Sequence, residues 1–199
     1  MATRFKNTDQ EQLLKTITSL LQKARISYMV TGALSVILYG RPRASHDIDF
    51  VIEAKKEEIT NIANALSSLS DEFLVDIAYV KEAIEQNLHG FNILHLPTML
   101  KLDFWLLKDE PFDKSRFKRK KTVNIFGQKM TFASPEDTIL IKLLWYKESD
   151  IEKHLIDSAF VYQIQKDNLD KTYLRKWSKK HKTEKLLKEL AEIDLEKFY

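Results

Sequence analysis

Three aspartates stand in segments that otherwise look like packing strands. Asp47 and Asp49 lie two apart in DIDFVI, and Asp103 lies in the later segment LKLDFWL. Side chains two residues apart on a strand leave the same face, with Cα atoms roughly 6–7 Å apart. Two carboxylates at that spacing can share a divalent cation, and Mg²⁺ prefers such oxygen ligands together with substrate phosphates. The pattern predicts a Mg²⁺ (or Mn²⁺) site for phosphoryl or nucleotidyl transfer.

A glycine turn precedes the acids and can receive phosphates. Gly32 follows the segment ISYMVT and precedes ALSVILY, so we expect it to end a strand and open a helix. Backbone N–H groups at a helix N-terminus bind phosphate, and a residue without Cβ permits close approach. Arg43 and Ser45 lie between this turn and the acids, and both can donate to phosphate oxygens. These residues add a phosphate-binding function to the predicted metal site.

The rest of the sequence indicates the elements that position these residues. Apolar residues at helical spacing predict a helix over residues 8–24, after a polar start at Asn7-Thr8-Asp9, and further helices over 33–39, 59–69 and 80–88. Alternating apolar residues predict strands over 26–31, 47–53, 91–96 and 100–107, and a hairpin with strands at 123–125 and 130–132. In the strand over 100–107, Leu102, Phe104 and Leu106 form the packing face. Asp103 is therefore predicted on the opposite face, together with Lys101 and Trp105.

The segment ASPEDT is the clearest boundary in the chain. Ser134 as N-cap, Pro135 at the first helical position and two acids after it are typical of a helix start. Beyond this point only helical patterns occur, with four predicted helices. The sequence therefore predicts an α/β domain over residues 1–132 and a helical domain over residues 133–199.

These motifs together resemble the signature of the DNA polymerase β-like nucleotidyltransferase superfamily. In that signature a strand, a glycine turn and a short helix precede a strand with Asp-x-Asp, and a later strand carries a third aspartate. The spacing of Gly40, Arg43 and Ser45 before Asp47-Ile48-Asp49 is similar to that of the minimal bacterial nucleotidyltransferases. The segments FNILHLPTMLKLDFWLL, SPEDTILIKLLWYKES and LIDSAFVYQ are similar to small prokaryotic AbiEii-toxin-like proteins. The resemblance covers about residues 27–177.

The resemblance implies an α+β nucleotidyltransferase fold, a small mixed β-sheet with flanking helices followed by a C-terminal helical bundle. It implies Mg²⁺-dependent transfer of a nucleoside monophosphate from an NTP to an acceptor hydroxyl. Asp47, Asp49 and Asp103 would be catalytic and hold the metal, and Asp103 would help to deprotonate the acceptor. The implied triphosphate ligands are Gly32, the Ala33 backbone, Ser35, Arg43, Ser45 and Lys142. Of these, Lys142 is singled out by the resemblance alone, together with Tyr146 and Lys147.

The turn departs from the family pattern at Ala33, where a second glycine or a serine is expected. Alanine offers its backbone N–H but no hydroxyl, and Ser35 can compensate in part. Two alternatives therefore stand beside the transferase. One is a nucleotide- or RNA-binding regulatory module that keeps the fold without turnover, and the other is a metal-dependent phosphohydrolase that uses the same acids.

Composition narrows the remaining function classes. The 199 residues include no cysteine, which excludes disulfides, thiolate zinc sites and cysteine nucleophiles. No apolar stretch approaches membrane-spanning length and the N-terminus lacks an apolar signal segment, so we predict a cytoplasmic protein without a membrane partner. The net charge of +3 is too small to argue for nucleic acid by itself. The basic run over 114–121 leaves RNA or tRNA as an acceptor beside protein and small molecules, and the toxin resemblance implies an antitoxin partner.

Overall fold

Helices and strands follow the predicted pattern with a few additions. The computed structural model describes residues 8–198, so the predicted polar helix start at Asn7 and the N-terminal sequence before it lie outside the described residues. The helices are α1 Thr8–Lys23, α2 Gly32–Tyr39, α3 Ile59–Ser67, α4 Ile77–Glu85, α5 Pro111–Lys118, α6 Pro135–Ser149, α7 Glu152–Gln165, α8 Lys171–His181 and α9 Glu184–Glu189. The strands are β1 Tyr28–Thr31, β2 Asp47–Ile52, β3 Phe73–Leu74, β4 Gly90–His95, β5 Leu100–Leu106, β6 Lys121–Ile125 and β7 Gln128–Phe132. Short 3₁₀ turns lie at Lys56–Glu58 and Leu195–Phe198.

The strands form one mixed sheet in the order β3-β4-β5-β2-β1-β7-β6. β2 runs antiparallel to β1 and parallel to β5, so it is hydrogen-bonded along both edges. β7 lies parallel to β1 on the other side. A mixed sheet with flanking helices, followed by helices only, confirms the predicted fold class.

A ladder of phenylalanines fixes the register of three neighbouring strands. Phe50 of β2 pairs with Phe104 of β5, which pairs with Phe91 of β4. The rings stack, with centroids 5.0 Å apart for Phe50 and Phe104 and 5.1 Å apart for Phe91 and Phe104. All three side chains are buried. A slip of one residue in the strand pairing would turn these three side chains to the other face of the sheet. The packing therefore strongly specifies which residues of β2, β5 and β4 pair with one another.

The helix predicted at Ser134 begins as expected. The Ser134 hydroxyl accepts from the backbone N–H of Asp137 at 3.1 Å, and Pro135 occupies the first helical position. This start satisfies an N–H group that the helix itself leaves without a partner. The cap therefore explains why α6 begins at this residue.

By its contacts the chain forms two compact units. The first contains the chain up to Leu34 together with Ala44–Phe132, and the second contains Ser35–Arg43 together with the chain from Ala133. Within the second unit, the Gln165 side chain donates to the carbonyl oxygen of Tyr39 at 2.8 Å, and the Arg41 guanidinium lies 4.4 Å from the Phe160 ring centroid. The division into domains 1–132 and 133–199 stays a prediction.

The basic run over 114–121 was not predicted as structure, and it forms α5 and the start of β6. Arg116 is buried and its Nε donates to Asp113 at 2.6 Å. Lys120 lies 3.6 Å from the centroid of the buried Phe117 ring and donates to the Ser27 hydroxyl at 2.7 Å. Burial lowers the pKa of Lys120. Several of the basic groups are therefore engaged within the protein.

In residues 8–198 no helix is long and apolar enough to cross a membrane.

Candidate active site

Two adjacent strands place the three aspartates on one face of the sheet. Asp49 pairs directly with Asp103 and Asp47 pairs with Lys101 in the parallel β2–β5 ladder. The phenylalanine ladder occupies the opposite face, because successive side chains on a strand alternate. Asp47 is exposed, and Asp49 and Asp103 are half-buried. The predicted placement of the acids on one face is confirmed, whereas their catalytic role stays a prediction.

Lys101 is a cation on the same acidic face. Its Nζ lies 2.8 Å from Asp103 Oδ1. This hydrogen bond raises the pKa of Lys101 above its ordinary value; burial offsets this in part, and the charges of Asp103, Asp47 and Asp49 raise it further. Lys101 therefore acts as a built-in counter-ion of the acids. The alternation of the strand predicted Lys101 on this face, but no sequence pattern predicted its pairing with Asp103.

Asp49 is held between the glycine turn and a tryptophan. β1 ends at Thr31, which pairs with Asp49, and α2 begins at Gly32 with φ +61°. A methyl group on Gly32 would lie 2.6 Å from Asp49 Cγ and 2.9 Å from its Cβ, so this backbone conformation and this contact both require glycine. On its other side Asp49 Oδ1 accepts from the indole N–H of Trp105 at 3.2 Å. The N-terminal end of α2 favours the negative charge that lies against it.

The acids fit a divalent cation by donor chemistry and by placement. Carboxylate oxygens on one face of two paired strands are the ligands that Mg²⁺ prefers. Among the described residues, however, no three acidic or histidine side chains are already gathered into a metal-binding group. Two of the three aspartates instead bond to Lys101 and Trp105. Lys101 therefore competes with a cation for Asp103 Oδ1.

In the second compact unit, two predicted phosphate ligands meet a buried carboxylate. Arg43 donates from Nε and Nη2 to the two oxygens of Asp157 at 3.1 and 2.9 Å, and Lys142 Nζ lies 3.5 Å from Asp157 Oδ2. Asp157 is fully buried and Lys142 is 4% exposed. Asp157 was missed by sequence analysis, although an acid within the apolar run LIDSAFV of a helix is a signal for a buried ion pair.

The charged residues of this cluster also change the pKa of a nearby histidine, His154. Burial lowers the pKa of His154, and the positive charge of Lys142 lowers it further. The His154 ring packs edge-on against Trp145, with centroids 5.4 Å apart. Lys142 lies 4.5 Å from the centroid of the same Trp145 ring. The lysine is therefore packed and paired inside its unit.

The remaining predicted ligands have ordinary structural surroundings. Ala33 and Ser35 are buried within α2. The Ser45 hydroxyl donates to the carbonyl oxygen of Asp47 at 3.2 Å, which holds the chain just before β2. Lys147 donates to the carbonyl oxygen of His181 at 2.9 Å. Tyr146 is half-buried. Their roles as nucleotide ligands stay predictions.

The site has the arrangement expected of a nucleotidyltransferase fold. It combines a glycine turn between β1 and α2 with two acids on β2 and a third acid on the adjacent β5. The chain belongs to the family described as "Nucleotidyltransferase of unknown function (DUF6036)", which matches residues 8–198. The AbiEii-like branch stays a prediction. No functionally curated protein has a significant match to the sequence.

Solved structures share the fold at low sequence identity. The antibiotic-resistance factor ANT(2'')-Ia superposes with a TM-score of 0.60 at 13% identity, over 92% of this chain and 96% of that one. An antigenic nucleotidyltransferase-like protein from Paracoccidioides brasiliensis gives 0.58 at 17% identity, over 92% of each chain. The lincomycin-bound lincosamide antibiotic adenylyltransferase LnuA gives 0.52 at 16% identity, over 77% of this chain and 97% of that one. At these identities the similarity extends to the fold alone.

Proposed function

We propose that this protein transfers a nucleoside monophosphate from an NTP to an acceptor hydroxyl, with Mg²⁺ or Mn²⁺ bound by Asp47, Asp49 and Asp103. The observation that carries the proposal is the direct pairing of Asp49 with Asp103 on one sheet face, with the Gly32 turn against Asp49. Divalent cations bound there would supply the positive charge that offsets the triphosphate and the charge that develops during transfer. The lincosamide antibiotic adenylyltransferase LnuA, which shares the fold, supports this reaction class.

The residues of this chain account for the other parts of the reaction. The acceptor oxygen forms a bond to the α-phosphorus, the bond from that phosphorus to the β-phosphate oxygen breaks, and pyrophosphate leaves with the bonding electrons. Asp103 Oδ1, now paired with Lys101, is the atom to which we assign the acceptor proton. Gly32 and the Ala33 backbone N–H would contact the phosphates at the start of α2. Ser35, Ser45, Arg43 and Lys142 are assigned to the triphosphate on the sequence resemblance.

Calorimetric titration with Mg²⁺ and a non-hydrolysable ATP analogue tests the site. We expect binding to wild type and loss of at least about tenfold in affinity in the double variant Asp47→Asn/Asp49→Asn, because two ionised metal ligands are removed. The control is Asp71→Asn/Asp167→Asn, which removes the same charge from exposed positions. Equal binding by the site variant and wild type would remove the assignment of these acids.

A regulatory module without turnover is the second candidate. It is favoured by Ala33 in the turn and by the occupation of Asp103 by Lys101. Such a module would bind nucleotide or RNA but release no pyrophosphate, whereas sustained NTP-dependent release would exclude it. The third candidate, a metal-dependent phosphohydrolase that uses the same acids, would release phosphate or NMP from a labelled NTP and transfer no label to an acceptor.

We also propose a toxin-like cellular role, which rests on the sequence resemblance to AbiEii-type toxins. Induced expression of wild type is then expected to arrest growth, and Asp47→Asn/Asp49→Asn is expected to relieve that arrest. Normal growth with wild-type protein accumulated to the same level would contradict the toxin role. That growth result would not test the transferase reaction, which is tested by calorimetry and by pyrophosphate release.

A further inference from the structure

A small pocket adjoins the third aspartate on the acid-bearing side of β4 and β5. It has a volume of about 180 Å³, and the lining includes Tyr79, His89, Asn92, Lys101, Asp103 and Trp105. Asn92 pairs directly with Asp103 across the two strands. The row Asp49, Asp103, Asn92 therefore runs from the centre of the acidic face into the pocket.

β4 begins with a glycine that lines the pocket and packs closely against β5. Gly90 pairs with Trp105. A methyl group on Gly90 would lie 3.0 Å from the carbonyl carbon of Phe104 and 3.1 Å from Trp105 Cα, so no side chain fits there. The Trp105 indole, which also lines the pocket, donates to Asp49 Oδ1 on β2 at 3.2 Å. Trp105 remains 42% exposed and Tyr79 on α4 remains 43% exposed, so two aromatic side chains lie at the pocket with accessible surface.

We infer that this pocket binds the acceptor, and that the acceptor is a small molecule presenting one hydroxylated ring. The inference rests on the proposed transferase function, because only then does a ligand beside Asp103 become an acceptor. A cavity of about 150 Å³ holds one six-membered ring, so the pocket takes a single ring and leaves the rest of a larger molecule outside. Aromatic surface at Trp105 and Tyr79 suits the C–H face of such a ring.

The polar lining suits hydroxyl groups. The Asn92 amide offers both donors and an acceptor, and the His89 ring offers one of each in its neutral form. Few polar groups placed among apolar surface are the usual means of orienting a small ligand. A ring hydroxyl directed at Asp103 would lie beside the carboxylate to which the proton transfer is assigned. The pocket therefore joins recognition of the ring to the reacting group.

The charges around the pocket disfavour a polyanionic acceptor. Among the described residues that line it, Lys101 is the single lysine or arginine, and it is paired with Asp103. Nucleic-acid binding depends on cations that contact successive phosphates. The pocket thus favours a neutral or cationic ring over the end of an RNA chain.

The test uses full-length protein and two ring probes, methyl α-D-glucopyranoside and its 2-amino-2-deoxy analogue. Binding is followed by the shift of the Trp105 indole N–H in nitrogen-15 NMR spectra, assigned with Trp105→Phe. We expect both Tyr79→Ala and Asn92→Ala to weaken probe binding by about fivefold or more, because each removes one wall contact. Leu74→Ala, at an exposed position on β3, is the control and should bind the probes as wild type does. Circular dichroism confirms the fold of each variant.

The outcomes separate this inference from the proposed function. If neither probe binds wild type, or if both probes bind both pocket variants as tightly as wild type, the inference is overturned whatever calorimetry gives. If total tRNA shifts the Trp105 signal and the probes do not, it is overturned in favour of RNA. Probe binding without any Mg²⁺–nucleotide binding refutes the transferase and with it the acceptor role. Probe binding that weakens in the pocket variants, together with retained Mg²⁺–nucleotide binding, supports both.

Discussion

Gly32→Ala is expected to damage the candidate site more than it damages the fold. The substitution has two effects. Alanine at φ +61° costs about 1–2 kcal/mol because the left-handed conformation brings Cβ close to the backbone. In addition, the new methyl group would clash with Asp49 Oδ2 and lie 2.6 Å from Asp49 Cγ, so the carboxylate must move by at least about 0.8 Å to restore the ordinary contact distance of 3.4 Å. A misplacement of about 1 Å at a reacting centre can cost on the order of 10²-fold in rate.

Gly127→Ala isolates the backbone effect. Gly127 has φ +76°, and a Cβ there meets nothing within 4 Å. We therefore expect both variants to lose about 1–2 kcal/mol from strain, or roughly 2–8 °C in Tm for a chain of this size, with a further loss only in Gly32→Ala. Gly127→Ala should bind Mg²⁺ and the ATP analogue like wild type, whereas Gly32→Ala should lose at least about tenfold in affinity.

Thermal unfolding and calorimetry on the same samples decide the matter. If the two glycine variants lose equal stability and both retain nucleotide binding, the contact between Gly32 and Asp49 has no functional weight. That result would refute the reasoning that the turn positions this carboxylate.

Three further perturbations follow from the charges in the structure. Asp157→Asn removes the buried carboxylate from its two cations and should lower the free energy of unfolding in urea by about 3–5 kcal/mol, whereas a loss under about 1 kcal/mol would contradict the pairing. Burial, followed by nearby lysines, lowers the pKa of His154 and His181, so unfolded protein takes up protons more readily and stability should fall as the pH drops below about 6.5. Changing both histidines to asparagine should flatten Tm between about pH 7.5 and 5.5, and an unchanged slope would refute this. Lys101→Met removes a half-exposed competitor for Asp103 and should tighten Mg²⁺ binding by about two- to fivefold in calorimetry, whereas unchanged or weaker binding would refute this competition.

The local part of the fold could be predicted because it is encoded by short-range patterns. The alternation in DIDFVI and LKLDFWL reports directly which side chains share a face, and the stacked Phe50 and Phe104 show why that alternation holds. The Ser134-Pro135 start likewise satisfies a backbone group within one turn. Such signals need no knowledge of distant residues.

The partners of the charged residues could not be predicted. Arg43 and Asp157 are 114 positions apart, and no local pattern pairs them. Lys101 was placed on the acidic face, but its choice of Asp103 depends on side-chain geometry. Two elements were also missed for physical reasons. α5 lacks the apolar stripe that marks a helix, and β3 has only two residues, which is too short for alternation to show.

The parallel pairing of β2 with β5 has a consequence for how the protein folds. α3, β3, α4 and β4 all lie between these strands in the chain, so the acidic face forms only after a long loop has closed. During synthesis the nascent chain contains all three aspartates only after Asp103 of β5 has been added. Closure also brings Asp49 and Asp103 together against their mutual repulsion. Because Mg²⁺ is the ion that we propose for this site, millimolar Mg²⁺ is expected to speed refolding, which would couple formation of the site to binding of that ion.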